Sequence, residues 1–164
     1  MARTTTVGKS APGEASPEAA PDQTSEKPRW YVIDADGRTL GRLSTVVANH
    51  LMGKQRPHYA PHRFFGDHVV VLNAGRIKVT GRKLDQKFYR WHTGYPGGFK
   101  EVTLRKTLAE HPVKVIESAV QGMLPKSKIG KRMIRNLKIY TGAQHPHEAQ
   151  RPEPLDLSTS RKSA

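Results

Sequence analysis

Apolar and polar positions fall into three regimes along the chain. Residues 1–28, MARTTTVGKSAPGEASPEAAPDQTSEKP, carry almost nothing to bury and are expected to form a disordered N-terminal extension. Residues 29–142 alternate short apolar runs with helical periodicity and should form the folded domain. Residues 143–164 are expected to be an extended C-terminal tail, and STSRKSA from Ser158 onward resembles the N-terminal extension in composition. No internal repeat interrupts this plan.

Within the middle regime, WYVIDAD (30–36) is rich in aromatic and β-branched residues and ends on the turn pair Asp36-Gly37, so it predicts a strand. Leu40, Leu43, Val47 and Leu51 recur at helical spacing, with Gly53 as a helix stop. KQRPHYAPHRFFGD (54–67) holds two prolines and reads as a loop. HVVVLNA (68–74) is nearly all apolar, as a strand buried on both faces should be. Strand, helix and strand make a βαβ unit with a parallel sheet and a right-handed crossover. IKVTG (77–81) suits another strand or a short crossover piece. Helices are predicted over about 103–110, 113–122 and 127–136, and LKIY (137–140) as a closing strand. The fold class is α/β.

Charge then changes the picture. The chain has 28 Lys and Arg against 14 Asp and Glu, a formal net charge of +14. Residues 1–29 hold four of each sign and residues 143–164 three of each. The 21 basic and seven acidic residues of 30–142 therefore carry the whole excess. A folded segment so charged repels itself, and a polyanionic partner is the natural reason to keep it. No apolar stretch approaches the ~20 residues of a membrane span, no signal-peptide apolar region is present, and no helix pairs a strong apolar face with aromatic anchors.

SKIGKRMIRNL (127–137) concentrates this charge. On a helix Lys128, Lys131, Arg132 and Arg135 share one sector of about 100°, opposite Ile129, Met133, Ile134 and Leu137. An ordinary solvated helix mixes both signs for ion pairing, whereas this segment has no acidic residue. Looser basic clusters are Arg38 and Arg42 at the first helix, and Lys54, Arg56, His58, His62 and Arg63 in the proline-containing loop. Tyr59, Phe64 and Phe65 lie in the same loop. They could stack on unpaired bases, although for both phenylalanines anchoring to the core is the better account. A third run is Arg76, Lys78, Arg82, Lys83, Lys87 and Arg90.

Catalytic chemistry finds little support. With no cysteine, disulfides, thiolate metal sites and Cys nucleophiles are excluded. HTGYPGG (92–98) matches no phosphate-loop pattern; a backbone turn open to RNA and a plain turn both remain. Gly130-Lys131 is followed by Arg132 where a P-loop needs Ser or Thr, and Pro125 occupies the place of its first Gly. His58 and His62, or His145 and His147, supply at most two metal ligands each, and no third stands at a motif spacing. Asp34 and Asp36 end a strand where α/β enzymes do chemistry, yet no second motif completes a site, so turn formation accounts better for Asp36. No catalytic residue, metal site, cofactor or small-molecule substrate is expected.

AVQGMLPKSKIGKRMIRNLKIYTG (119–142) resembles the signature of the bacterial large-subunit ribosomal protein thirteen family. So do WYVIDADGRTLGRLSTVVANHLMGK (30–54), GDHVVVLNAGRIKVTGRK (66–83), YRWHTGYPGGFKE (89–101) and HPHEAQRPEPLDL (145–157), in the same order. The resemblance implies a three-layer α/β/α fold around a four-stranded, mainly parallel sheet. It also implies a non-enzymatic structural constituent of the large ribosomal subunit in the cytoplasm, binding 23S ribosomal RNA and acting early in assembly. By position, Lys126, Lys128, Lys131, Arg132 and Arg135 match the family's basic signature, and Arg38, Arg42, Lys54, Arg82 and Lys83 its other basic positions. Together with Arg56, Arg63, Arg76, Lys78 and Arg90 these are the expected RNA-binding residues. Expected partners are the RNA and neighbouring large-subunit proteins, with neither a membrane nor a stable homo-oligomer. The extension of 1–28 departs from the family pattern. A nucleoid-type DNA-binding protein and a nucleotide-dependent enzyme are the other readings, but neither has a motif to carry it.

Overall fold

The computed structural model describes residues 28–155, so the expected N-terminal extension and the end of the tail lie outside it. Trp30–Asp34 (β1) leads through a turn into the helix Leu40–Met52 (α1), and His68–Leu72 (β2) follows the proline-containing loop. Lys83–Gln86 (α2) is a single turn of helix. Phe88–His92 (β3) and Phe99–Thr103 (β4) form an antiparallel hairpin. Leu104–Glu110 (α3), Pro112–Met123 (α4) and Lys128–Met133 (α5) are helical; Leu137–Ile139 (β5) and Glu153–Pro154 (β6) are strands. The main sheet has the order β5-β2-β1-β6, and each of its pairings is parallel. The α/β class read from the pattern and the four-stranded parallel sheet implied by the resemblance are thus both present.

Period sets which faces are buried. In register, Tyr31, Ile33, Val69, Val71, Leu137 and Ile139 share one face of the sheet, because alternate residues of a strand point the same way. Against it pack Leu43, Val47 and Leu51 of α1 and Val115, Ile116 and Val120 of α4, all in one apolar cluster. Ser44 is buried among them at no cost in hydrogen bonding, since its hydroxyl donates to the Leu40 carbonyl at 2.8 Å. α1 ends where Gly53 caps the carbonyls of Asn49 and His50. On the second face the Trp30 ring stacks on His68 with centroids 4.3 Å apart, and His147 lies 5.1 Å from Trp30. The Tyr140 hydroxyl and His147 Nε2 meet at 2.9 Å, so this face is closed by rings from the segment that leads to β6.

Three local features differ from the expectation. IKVTG makes only an isolated bridge, Thr39 to Lys78, because its backbone serves to dock the turn before α1. The helix expected over 127–136 is α-helical for Lys128–Met133 and tightens into a 3-10 turn at Ile134–Asn136, from which Leu137 turns into the sheet beside Val69. The hairpin of β3 and β4 was not foreseen, although its aromatic and β-branched strands flank a glycine-rich loop, which is a hairpin signal. Two of the expected elements also shift slightly, α3 beginning at Leu104 and α4 running to Met123.

Candidate nucleic-acid interface

α5 is held in place by its N-terminal turn. The Ser127 hydroxyl accepts from the Gly130 N–H at 3.3 Å, a helix cap. Gly130 is buried, and a Cβ there would come within 1.9 Å of the Pro125 carbonyl oxygen. Only glycine lets the loop 124–127 close onto the helix this tightly. Met133 and Leu137 are buried, Ile129 and Ile134 half-buried, while Lys126, Lys128, Lys131, Arg132 and Arg135 are exposed. The amphipathic division read from the sequence therefore survives the shortening of the helix. Among the described residues, none of these five cations makes an ion pair.

A second group gathers at the carboxyl ends of β1 and β2. The Gly37 N–H donates to the Arg76 carbonyl and the Lys78 N–H to the Arg38 carbonyl, at 3.3 and 2.8 Å. These bonds bring Arg38, Arg76 and Lys78 together from segments far apart in sequence. Lys78 and Lys83, joined by Lys87, line an open hollow of about 360 Å³ between the first turn of α1 and the end of α4. Arg82 precedes Lys83 and is exposed, as is Arg42 on the first turn of α1. The Met123 sulfur lies 3.6 Å from the Thr45 hydroxyl, so the loop into α5 leaves from beside α1.

The carboxylates in this region are occupied with the fold. Asp34 Oδ1 accepts from the Asp36 N–H at 3.0 Å and from the Asn73 amide at 2.9 Å. Those two bonds, then the charges of Arg38 and Arg76, hold Asp34 below the usual carboxylate range. Asp36 pairs with Arg76 at 3.4 Å. The strand-end aspartates thus lock the β1 turn to the segment after β2.

The remaining expected residues divide. Lys54 and Arg63 are exposed on the loop between α1 and β2, where Tyr59 packs against the core, Phe65 is half-buried and Phe64 is exposed. Arg56 stands apart from the displayed cations. It pairs with Asp67, the two side chains being 11% and 6% exposed, and Asp67 also accepts from the Arg29 N–H at 3.0 Å. That buried pair ties the loop to the start of β1. Arg90 sits on β3, bonded to Glu101 across the hairpin at 3.2 Å. The sequence reading did not single out Lys100 and Lys114, near the hairpin, or Lys138 on β5. Lys100 and Lys114 stand alone in the sequence, whereas Lys138 follows Arg135 by three residues. Among the described residues no cluster of three or more His, Asp or Glu is placed to hold a metal ion. No helix there is long and apolar enough to cross a membrane.

Comparison with known proteins adds a second line of argument. The model of the family described as ribosomal protein L13 matches residues 28–146. The large ribosomal subunit protein uL13 of Thermus thermophilus is 55% identical over 131 residues, covering 80% of this chain and 94% of that protein. The protein of the same name from Thermotoga maritima is 51% identical over 137 residues, 84% of this chain and 91% of its own. That of Ruminiclostridium cellulolyticum is 51% identical over 140 residues, 85% of this chain and 96% of its own.

Proposed function

The chain belongs to the ribosomal protein L13 family, and from that premise we propose that it is a structural, non-catalytic constituent of the large ribosomal subunit in the cytoplasm. It binds 23S ribosomal RNA, helps organise the RNA early in subunit assembly, and lies beside other large-subunit proteins as a single copy. The observation that carries this reading is the exposed face of α5, where Lys128, Lys131 and Arg132, followed by Arg135, have no carboxylate partner among the described residues. Unpaired cations on a rigid element are suited to phosphates. Displacing condensed counterions supplies affinity, while the fixed spacing supplies fit. Arg38, Arg42, Arg76, Lys78, Arg82 and Lys83 form a second contact region, Lys54 and Arg63 a third, and Lys126 and Arg90 extend the first and second. Arg56 serves the interface indirectly, by shaping the loop that carries Lys54 and Arg63.

Reversing the charge of Lys128, Lys131, Arg132 and Arg135 to Glu should abolish incorporation into large subunits while circular dichroism stays that of the folded protein. Sedimentation of a lysate before and after a high-salt wash reads the outcome. Salt-resistant comigration of the parent with the large subunit is expected, and normal comigration of the reversed variant would sink the proposal.

A further inference from the structure

The β3–β4 hairpin stands outside the main sheet. Register pairs Phe88 with Thr103, Arg90 with Glu101 and His92 with Phe99, so these six side chains share one side of the ribbon. The other side carries Tyr89 and Trp91, which line a cleft against Thr107 of α3, Lys114 of α4 and His111 between them. The first side is consequently turned outward, with Phe88 and Phe99 39% and 58% exposed, and Tyr95 in the connecting loop is 76% exposed. That loop is firmly built. The Thr93 N–H donates to the Gly98 carbonyl at 3.0 Å, the Gly98 N–H to the Tyr95 carbonyl at 2.9 Å, and the Gly94 N–H to His92 Nδ1 at 2.9 Å. Gly94 and Gly97 adopt φ of 91° and 71°, which side-chain-bearing residues rarely adopt. The rings are therefore held out from the body on a braced turn.

We propose that the outward face and tip of this hairpin are a stacking platform for unpaired nucleobases. The inference rests on the RNA-binding reading above and adds a site of different chemistry, recognising base faces where the cationic clusters recognise phosphates. Charge complementarity selects the occupant. Between residues 87 and 103 the hairpin carries Lys87, Arg90 and Lys100 against a single carboxylate, Glu101. Arg90 engages Glu101 on the outward face at 3.2 Å, while Lys100, the register partner of Trp91, lies on the cleft side. On the outward face the Arg90 guanidinium lies over the Phe88 ring at 5.6 Å, so a cation and a ring stand together there. On the cleft side the Lys87 ammonium lies over Tyr89 at 5.3 Å. An apolar protein surface would strip water from these charges without replacing it. A nucleotide offers a π-face to the ring and a phosphate to the cation together. Because the loop backbone that carries Tyr95 is already braced, binding orders little further backbone.

Zero-length ultraviolet cross-linking of isolated large subunits containing the full chain tests this. After nuclease and trypsin treatment, cleavage following Arg90 and Lys100 yields the peptide 91–100, which carries Trp91, Tyr95 and Phe99. Nucleotide-mass adducts on that peptide are expected. They should persist in Tyr95→Phe, which keeps the ring, and be lost when Tyr95→Leu and Phe99→Leu are combined, which keeps apolarity but removes both π-faces. Adducts confined to the peptides around α5 would overturn the platform while leaving the RNA-binding reading intact. A chemical cross-link from Lys100 to another protein, with no adduct on 91–100, would replace base stacking by a protein contact. Absence of nucleotide adducts from the whole chain, with no comigration, would overturn both readings.

Discussion

A buried imidazole is easiest to keep neutral, and this protein holds His50 fully and His68 partly out of water. His50 is 2% exposed beneath the Tyr31 ring, with the Gln55 amide 2.8 Å from its Nε2. Burial pushes its pKa below the usual 6.5, against the opposing pull of Asp67. His68, stacked on Trp30, is lowered by burial and then by the Lys138 charge. Both groups bind protons more readily in the unfolded chain. Their contribution to stability is therefore complete above pH 6.5 and is lost as pH falls through their lowered native values. Melting temperature should drop on acidification from about pH 8 to about pH 5, and His50→Gln should flatten that slope. An unchanged slope in the variant would show that His50 does not link folding to protons. Arg56 carries a different lesson at this scale. Its charge looks the same in the sequence as that of Arg63, yet its partner Asp67 lies on the far side of a loop, and only the folded backbone reveals that pairing.

Among the elements, legibility followed contrast between faces. β1, β2 and α1 were readable because burial on them is enforced by period, two residues in the strands and 3.6 in the helix. The hairpin was not, because Phe88, Tyr89, Trp91 and His92 place rings on both of its sides and leave no apolar-polar alternation to detect. β6 is two residues long and includes a proline, below the length at which any period exists. The cationic face of α5 was legible, but its anchoring was not, since the pressure on Gly130 comes from the Pro125 carbonyl. Gly130→Ala keeps every cation and should still weaken RNA binding, because α5 must shift to admit the methyl group. A fall in melting temperature together with at least a severalfold loss of affinity is expected. Affinity equal to the parent's would mean that charge suffices without placement.

For the molecule as a whole, a +14 chain with a neutral leading segment presents its charge from a rigid α/β body. The last strand of that body matters more than its length suggests, because β6 covers the outer edge of β1 while the segment before it brings His147 over Trp30. Removing residues 143–164 should bare that edge and the second sheet face together. Lower thermal stability and concentration-dependent association in analytical ultracentrifugation are expected, since an uncovered strand edge invites pairing with another chain. A truncated protein that stays monomeric with the parent's melting temperature would contradict this.

The sheet order also has a consequence in time. β1 ends at Asp34, and its outer neighbour, Glu153–Pro154, is synthesised more than a hundred residues later. At roughly 5–20 residues per second, the wait between them is on the order of ten seconds. For that interval the nascent chain holds a βαβ core with one flank open, and it closes only once Glu153 and Pro154 have been added. Completion of the sheet thus reports synthesis as far as Pro154, and a product terminated before it would keep an unsealed edge for quality-control proteases to find.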